Sequence, residues 1–367
     1  MKRGIAAASL IVIVAGLGIC CSYFVLKELL NPWDKPETAD VDVGIFYYVW
    51  YDEGYGNLHW SDRIEWTVVD EPVRRYYNSC DPEIIKQHFT WFEELKIDFV
   101  IVSWWGFYNQ TEEVSFINKA THQVFKVVDE NTFKVKLAVM VEPFNETKNG
   151  YNFPQIYNHV YENFASKYPH LYYKYTTKPL ICFWNNPNLT SVYNGNIPTD
   201  ERFDVVIVGH HTYVDWVFDH ITPHWTGEVP HGRVYSVCPR YDDSRLNRTQ
   251  SYIIDPNYSQ QVYQREWKKA LDFAQKNTLD IVLINSWNEF NERSQIEPCH
   301  DATSIYADPY YLFNVTKTSI YELKGLDQQN NSGSWPEPVK FGLVILLIIS
   351  TGSILLYAFR RCARQGN

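Results

Sequence analysis

The sequence predicts an α/β protein: a (β/α)8 TIM barrel held between an N-terminal and a C-terminal transmembrane helix. Three observations predict it. Eight short, continuously apolar runs alternate with helix-patterned or loop segments between residues 41 and 326. Continuous rather than alternating apolarity marks parallel strands covered on both faces, and eight such units in about 300 residues favour a closed barrel over an open doubly wound sheet. The chain ends carry the uncharged runs Gly4 to Leu26 and Phe341 to Phe359, each about the length a helix needs to cross a bilayer.

The ends come first in the argument because they fix the compartment. Lys2 and Arg3 precede the first run, and Arg360, Arg361 and Arg364 follow the second. Positive residues mark the cytoplasmic side of a span. Both termini are therefore expected in the cytoplasm, with the segment between them extracellular or lumenal. The alternative for the first run is a cleaved signal peptide, against which stand its length and the poor cleavage site Cys20-Cys21-Ser22-Tyr23. The expected organisation is an N-terminal anchor at residues 1–30, a linker at 31–40, the barrel at 41–326, a second linker at 327–340, the C-terminal helix at 341–359 and a basic tail at 360–367. Seven N-x-[ST] sequons, at Asn109, Asn145, Asn188, Asn247, Asn257, Asn314 and Asn330, all lie between the two runs, which agrees with an exported glycoprotein.

The barrel elements read in order. Strands are expected at Val43 to Trp50, Asp98 to Trp105, Val135 to Glu142, Pro179 to Trp184, Phe203 to Gly209, Phe218 to Thr222, Arg233 to Cys238 and Asp280 to Ser286. Asp81-Pro82 opens a helix running to about Lys96, with Asp as N-cap and Pro in the first turn. Further helices are expected over Glu112 to Asp129 and about Ser259 to Lys276. No Gly-x-Gly-x-x-Gly or phosphate loop is present, so a nucleotide fold loses support.

Composition narrows the chemistry. Net charge is −10 with no basic stripe, which argues against a nucleic-acid partner. Aromatic residues make up 16% of the chain; beyond filling a core, such rings suit glycans, whose apolar C–H faces lie flat on them. Cys80, Cys182, Cys238 and Cys299 of the barrel segment fit no zinc spacing. Cys238 and Cys299 follow neighbouring strands, and a disulfide between them is an expectation, set against simple buried packing.

In such a barrel, function sits at the C-terminal ends of the strands. Those ends deliver Tyr47, Tyr48, Trp50 and Tyr51, then Ser103-Trp104-Trp105, then Glu142-Pro143-Phe144, then Pro239-Arg240-Tyr241-Asp242-Asp243. The eighth delivers Trp287-Asn288-Glu289-Phe290-Asn291-Glu292-Arg293. Singly these are ordinary: a Trp pair is more often core, and Glu289 with Glu292 would usually be one solvated face. Together on one rim they fit glycoside cleavage, which needs one carboxylic acid to protonate the leaving oxygen and a second carboxylate across the anomeric carbon.

The motifs Phe46-Tyr47-Tyr48-x-Trp50-Tyr51, Ser79-Cys80-Asp81-Pro82-Glu83, Val102-Ser103-Trp104-Trp105-Gly106, Glu142-Pro143-Phe144 and Trp287 to Glu297 resemble glycoside hydrolase family 99, the endo-α-1,2-mannosidases and endo-α-1,2-mannanases. The resemblance runs in order from about Val43 to Leu323. It implies a retaining endo-glycosidase without metal or organic cofactor, acting on a glycan or polysaccharide. It further implies Glu289 as the base on the substrate's 2-hydroxyl and Glu292 as the group that protonates the leaving oxygen and then activates water. Tyr48, Trp104, Glu142, Tyr241 and Asn288 are expected to bind substrate. Where the family usually has Asn-Glu-Trp-His-Glu-Gly-Thr-Gln-Ile-Glu, this chain has Phe290 for Trp, Asn291 for His and Arg293 for Gly; Met140 stands where relatives commonly have His. The functions that remain open at this point are a membrane-anchored endo-glycosidase on α-mannoside-like linkages, a catalytically silent glycan-binding or surface-structural glycoprotein, and an enzyme of surface-polysaccharide assembly.

Overall fold

The computed structural model describes residues 40–53, 59–60, 70–107, 111–143, 152–185, 196–210, 214–218, 232–246, 248–249, 251, 253, 256–301 and 307–326. The two uncharged runs, the basic tail and sequons Asn109, Asn145, Asn188, Asn247 and Asn330 lie outside these residues, as does the side chain of Asn257. Asn314 is exposed. Among the described residues no helix is long and apolar enough to cross a membrane. The chain divides into two units, Met1–Leu326 and Asp327–Asn367, and every described residue belongs to the first.

In chain order the elements are β1 (Asp42–Tyr48), β2 (Glu71–Pro72), α1 (Pro82–Leu95), β3 (Phe99–Trp104), α2 (Glu112–Glu130), β4 (Lys136–Val141), α3 (Phe153–Val160), β5 (Leu180–Trp184), β6 (Asp204–Gly209), β7 (Trp216–Val217), β8 (Val234–Val237), α4 (Pro256–Gln275), β9 (Ile281–Ile284), β10 (Cys299–His300) and α5 (Tyr311–Leu323). Eight strands form one sheet in the order β7-β6-β5-β4-β3-β1-β9-β8, with β2 and β10 as a separate pair. Every ladder of the large sheet is parallel. Between its edges β7 and β8, the Ser236 hydroxyl donates to the Val217 carbonyl. The strands thus follow chain order around a nearly closed barrel, as expected of a (β/α)8 fold.

Local chemistry explains the elements. Asp81 caps α1 by accepting from the Glu83 N–H at 2.8 Å, and Lys96 ends the helix in the left-handed conformation. Thr111 caps α2 in the same way, accepting from Val114 at 3.1 Å. Each cap satisfies an N–H that helix geometry leaves without a partner. Strand residues alternate between two packed layers. Tyr47, Val100, Val102 and Trp104 face outward against the helices, while Phe46, Tyr48, Phe99 and Ile101 fill the barrel. Gly44 belongs to the inner layer because there is no room for more: a Cβ there would lie 2.4 Å from the Phe99 ring. That ring stacks on Tyr173 with centroids 3.8 Å apart.

Two expectations are corrected. The sixth strand is described at Trp216–Val217, ahead of the expected Phe218 to Thr222, of which only Phe218 lies among the described residues, just past the strand. Asp215 sets its start: its N–H donates to the Ile207 carbonyl at 2.8 Å, and its carboxylate accepts from the Ile207 N–H at 2.8 Å, so pairing begins before Phe218. Cys238 and Cys299 are both free thiols. Each sulfur already has a polar neighbour, the Arg240 carbonyl at 3.2 Å for Cys238 and the Gln295 amide at 3.6 Å for Cys299, so both act as small buried packing.

Candidate active site

The loop after β9 is folded back on itself by backbone hydrogen bonds. Ser286 N–H donates to the Ser294 carbonyl at 2.9 Å, and Glu297 N–H donates to Trp287 at 2.8 Å. Ser286 Oγ accepts from the Glu289 N–H at 2.9 Å, fixing where the first glutamate leaves the strand. The side chain of Asn288 does for β1 what a further strand residue would do. Its Oδ1 accepts from Tyr48 N–H at 2.9 Å and its Nδ2 donates to Tyr48 O at 2.8 Å. The Tyr51 hydroxyl donates to the Asn288 carbonyl at 2.7 Å and accepts from Phe290 N–H at 3.1 Å. Both neighbours of Glu289 are thereby tied to β1 and the turn behind it.

Above the barrel mouth lies a cleft of about 380 Å³ lined by Tyr48, Trp50, Trp105, Glu142, Trp184, His210, Phe218, Tyr241, Asp243, Arg248, Glu289 and Glu292, with Pro143. Its walls are aromatic. Tyr48 stacks on Trp50 at 4.6 Å, Trp50 stacks in turn on His59 at 4.6 Å, and Phe218 meets Trp184 edge-on at 4.7 Å. Its polar groups include four carboxyls, those of Glu142, Asp243, Glu289 and Glu292. Glu289 is buried, and its Oε1 accepts from the Asn291 N–H at 3.0 Å. Burial, then the charge of Glu292, pushes the Glu289 carboxyl well above the usual range. Glu142, also buried, accepts from Ser103 Oγ at 2.9 Å. Burial lifts its carboxyl from 4.5 to about 8, with Glu292 adding to the rise and Ser103 opposing it. Glu292 is ion-paired with Arg248, whose other terminal nitrogen donates to Tyr241 Oη at 2.8 Å and Asp243 at 3.0 Å. Burial first, then the neighbouring carboxylates, raises both the Tyr48 and Tyr241 phenols, so each enters the cleft as a neutral O–H.

Five expected site residues therefore converge: Tyr48, Glu142, Tyr241, Glu289 and Glu292. Two do not. Trp104 lies on the outer layer, stacked on His159 at 5.2 Å, with its indole N–H donating to Asn118 at 3.0 Å. Of the Trp104-Trp105 pair, the one that lines the cleft is Trp105, just past the strand end. One position of parity separates the two faces of a strand. Asn288 is fully buried and does not line the cleft; its side chain bonds both backbone groups of Tyr48, which does. Not anticipated were Trp184, His210 and Arg248; Trp184 was legible as an aromatic closing a strand, the other two only as loop residues.

The departures from the family motif have structural roles. Phe290 packs in an aromatic cluster, 5.3 Å from the Trp60 ring and 6.0 Å from Tyr51. Arg293 is buried with φ +52°, a left-handed conformation that glycine adopts without cost. Its guanidinium reaches Asp70 at 3.2 Å, Asp301 at 3.0 Å and Asp242 at 3.3 Å, while Arg240 binds Asp70 and Asp301 from the other side. Below the loop, Glu297 accepts from Tyr77 at 2.7 Å and lies 3.3 Å from His88, completing a second buried polar cluster.

The comparisons with known proteins agree with this architecture. The family model described as Glycosyltransferase WbsX matches residues 107–308, more than half of the chain. None of the curated proteins matches. The structure is similar to that of the GH99 endo-alpha-mannosidase from Bacteroides thetaiotaomicron in complex with bis-tris-propane, with 19% identity, 77% of this chain and 97% of that one covered, and a TM-score of 0.56. A second structure of that enzyme gives 18%, 78%, 98% and 0.54. A glycoside hydrolase-like protein gives 16%, 78%, 94% and 0.50. These likenesses carry the barrel fold. By the match along its sequence, the chain belongs to the WbsX glycosyltransferase family.

Proposed function

We propose that the chain is a membrane-anchored, retaining endo-glycosidase acting on internal α-mannoside-like linkages of glycans. One observation carries the reading: Glu142, Glu289 and Glu292, from the ends of β4 and β9, line one aromatic cleft. A glycan ring rests on the tryptophan and tyrosine faces while carboxyls flank the scissile bond. In this reading Glu289, in its ionised form and made a stronger base by the burial that raises its carboxyl, takes the proton of the sugar's 2-hydroxyl as that oxygen closes on the anomeric carbon. Glu292 gives a proton to the departing oxygen, then withdraws one from the attacking water. The buried Glu142 and the Tyr48 and Tyr241 hydroxyls hold the ring.

The WbsX family match favours a second reading, in which the same cleft serves surface-polysaccharide assembly and a sugar hydroxyl replaces water in the second step. Incubating the full chain with α-1,2-linked manno-oligosaccharides, with and without an added acceptor sugar, separates the two. Shortened products in both conditions support hydrolysis; lengthened products that need the acceptor support transfer. No new product and no binding removes both.

The anchoring rests on the two uncharged runs and the basic residues beyond them. Protease added outside sealed vesicles of native orientation is expected to reach the segment from Asn109 to Asn314 and spare Arg360 to Asn367. Protection of the sequon-bearing segment rejects the outward-facing assignment.

A further inference from the structure

We infer that Arg248 is the positioning residue of the cleft: it clasps the Glu292 side chain and supplies the guanidinium that counters its charge. The inference rests on the acid/base role proposed for Glu292. Three contacts carry it. One guanidinium nitrogen pairs with Glu292, and the other donates to Tyr241 Oη at 2.8 Å and Asp243 Oδ2 at 3.0 Å. The Glu292 backbone is held from the same rim segment, since Asp242 N–H donates to the Glu292 carbonyl at 2.8 Å. Main chain and side chain of one glutamate are thus fixed by a stretch seven residues long, from Asp242 to Arg248.

Its chemical consequence follows from what surrounds it. The titratable groups that share the cleft with Glu292 are Glu289, Glu142, Asp243, Tyr48 and Tyr241, with His210 and Arg248. Among the described residues neither Glu289 nor Glu142 has an ion pair with a cation, and the guanidinium is given to Glu292. Arg248 therefore treats the three glutamates unequally: it pairs at contact with Glu292, while its charge only partly opposes the rise of the buried Glu289 carboxyl. The arginine side chain is 44% exposed against 17% for Glu292, so it reaches its partner from the solvent side, and its loss does not open a core.

A structural role and a positioning role differ in what pH reveals. Removing the guanidinium withdraws a stabiliser of the Glu292 carboxylate, so the carboxyl holds its proton to higher pH. The test is a pH titration of the full chain with 13C-carboxyl-labelled glutamate, followed by NMR, in wild type, Arg248→Met and Arg248→Lys. The Glu292 signal is assigned by its disappearance in Glu292→Gln. The expected result is a Glu292 midpoint about one pH unit or more higher in Arg248→Met, the size of shift that an opposite charge at contact produces. Arg248→Lys is expected to return it toward wild type. An unmoved Glu292 midpoint in Arg248→Met overturns the inference, as does a shift that lysine fails to reverse. Because the titration needs no turnover, a wild-type protein that cleaves no glycan would sink the enzymatic reading while leaving this measurement decisive. Where cleavage is seen, the Glu292-governed limb of its pH profile moves the same way; a uniform loss at every pH marks Arg248 as structural only.

Discussion

Glycan cleavage by the Glu289→Gln chain is expected to fall by roughly 10²–10⁴-fold or more, the range that general acid–base assistance supplies. The loss should appear with both natural and activated aryl glycosides, because the missing group acts on the substrate's own 2-hydroxyl. Glu292→Gln should behave differently. Cleavage of substrates with poor leaving groups should be lost, while the first step on an aryl glycoside, whose leaving group needs no proton, should suffer much less. Folding should not follow activity. The Glu289 carboxyl is buried and pushed upward by burial and by Glu292, so ionising it opposes the folded state. The sign is the same for Glu142: stability is full below its unfolded value of 4.5 and is lost as pH rises to about 8. Amides in place of either carboxyl should leave stability at neutral pH unchanged or raise it. Equal cleavage by wild type and both variants would show that these two carboxylates are not the reacting pair.

The barrel was legible because buried parallel strands write themselves as continuous apolar runs, and seven of the eight fell where expected within a few residues. The sixth strand starts before Phe218 because Asp215 closes the ladder and Trp216–Val217 pair first. The glutamates were legible through their motif, and Tyr48 through its place at a strand end. Trp104 was assigned to the wrong face because the last residues of β3 alternate and apolar letters do not record parity. Arg248 left no signal, since it reaches Glu292 across 44 residues of chain. The cost of Arg293 was equally hidden: a motif glycine reads as a missing side chain until the backbone shows φ +52°.

Arg293 carries the largest expected effect on stability. Asp70 and Arg293 are buried, and Asp70 accepts from Arg240, Arg293 and the Gln295 amide, the last at 2.7 Å. Burial alone would raise the Asp70 carboxyl; the Arg240 and Arg293 charges outweigh it and hold the group below its usual value. By that sign the cluster's contribution is present above the ordinary aspartate range and lost as pH falls through the lowered value. Arg293→Met removes the guanidinium and keeps the left-handed backbone, so buried carboxylates lose a partner; a cost of about 3–5 kcal/mol is expected. Arg293→Gly loses the same charge but relieves a conformation that costs a non-glycine residue roughly 1–2 kcal/mol. The glycine variant, which restores the residue usual in the resembling family, should therefore be the more stable of the two. Adding Asp70→Asn to Arg293→Met should recover part of the loss, because Arg293→Met leaves two buried carboxylates, Asp70 and Asp301, sharing the single Arg240 guanidinium, and the amide removes the excess charge. Denaturant midpoints of the four chains decide it. A methionine variant as stable as wild type would mean that the buried cluster is not what holds this loop; a glycine variant less stable than the methionine one would mean that side-chain packing at position 293 outweighs the backbone strain.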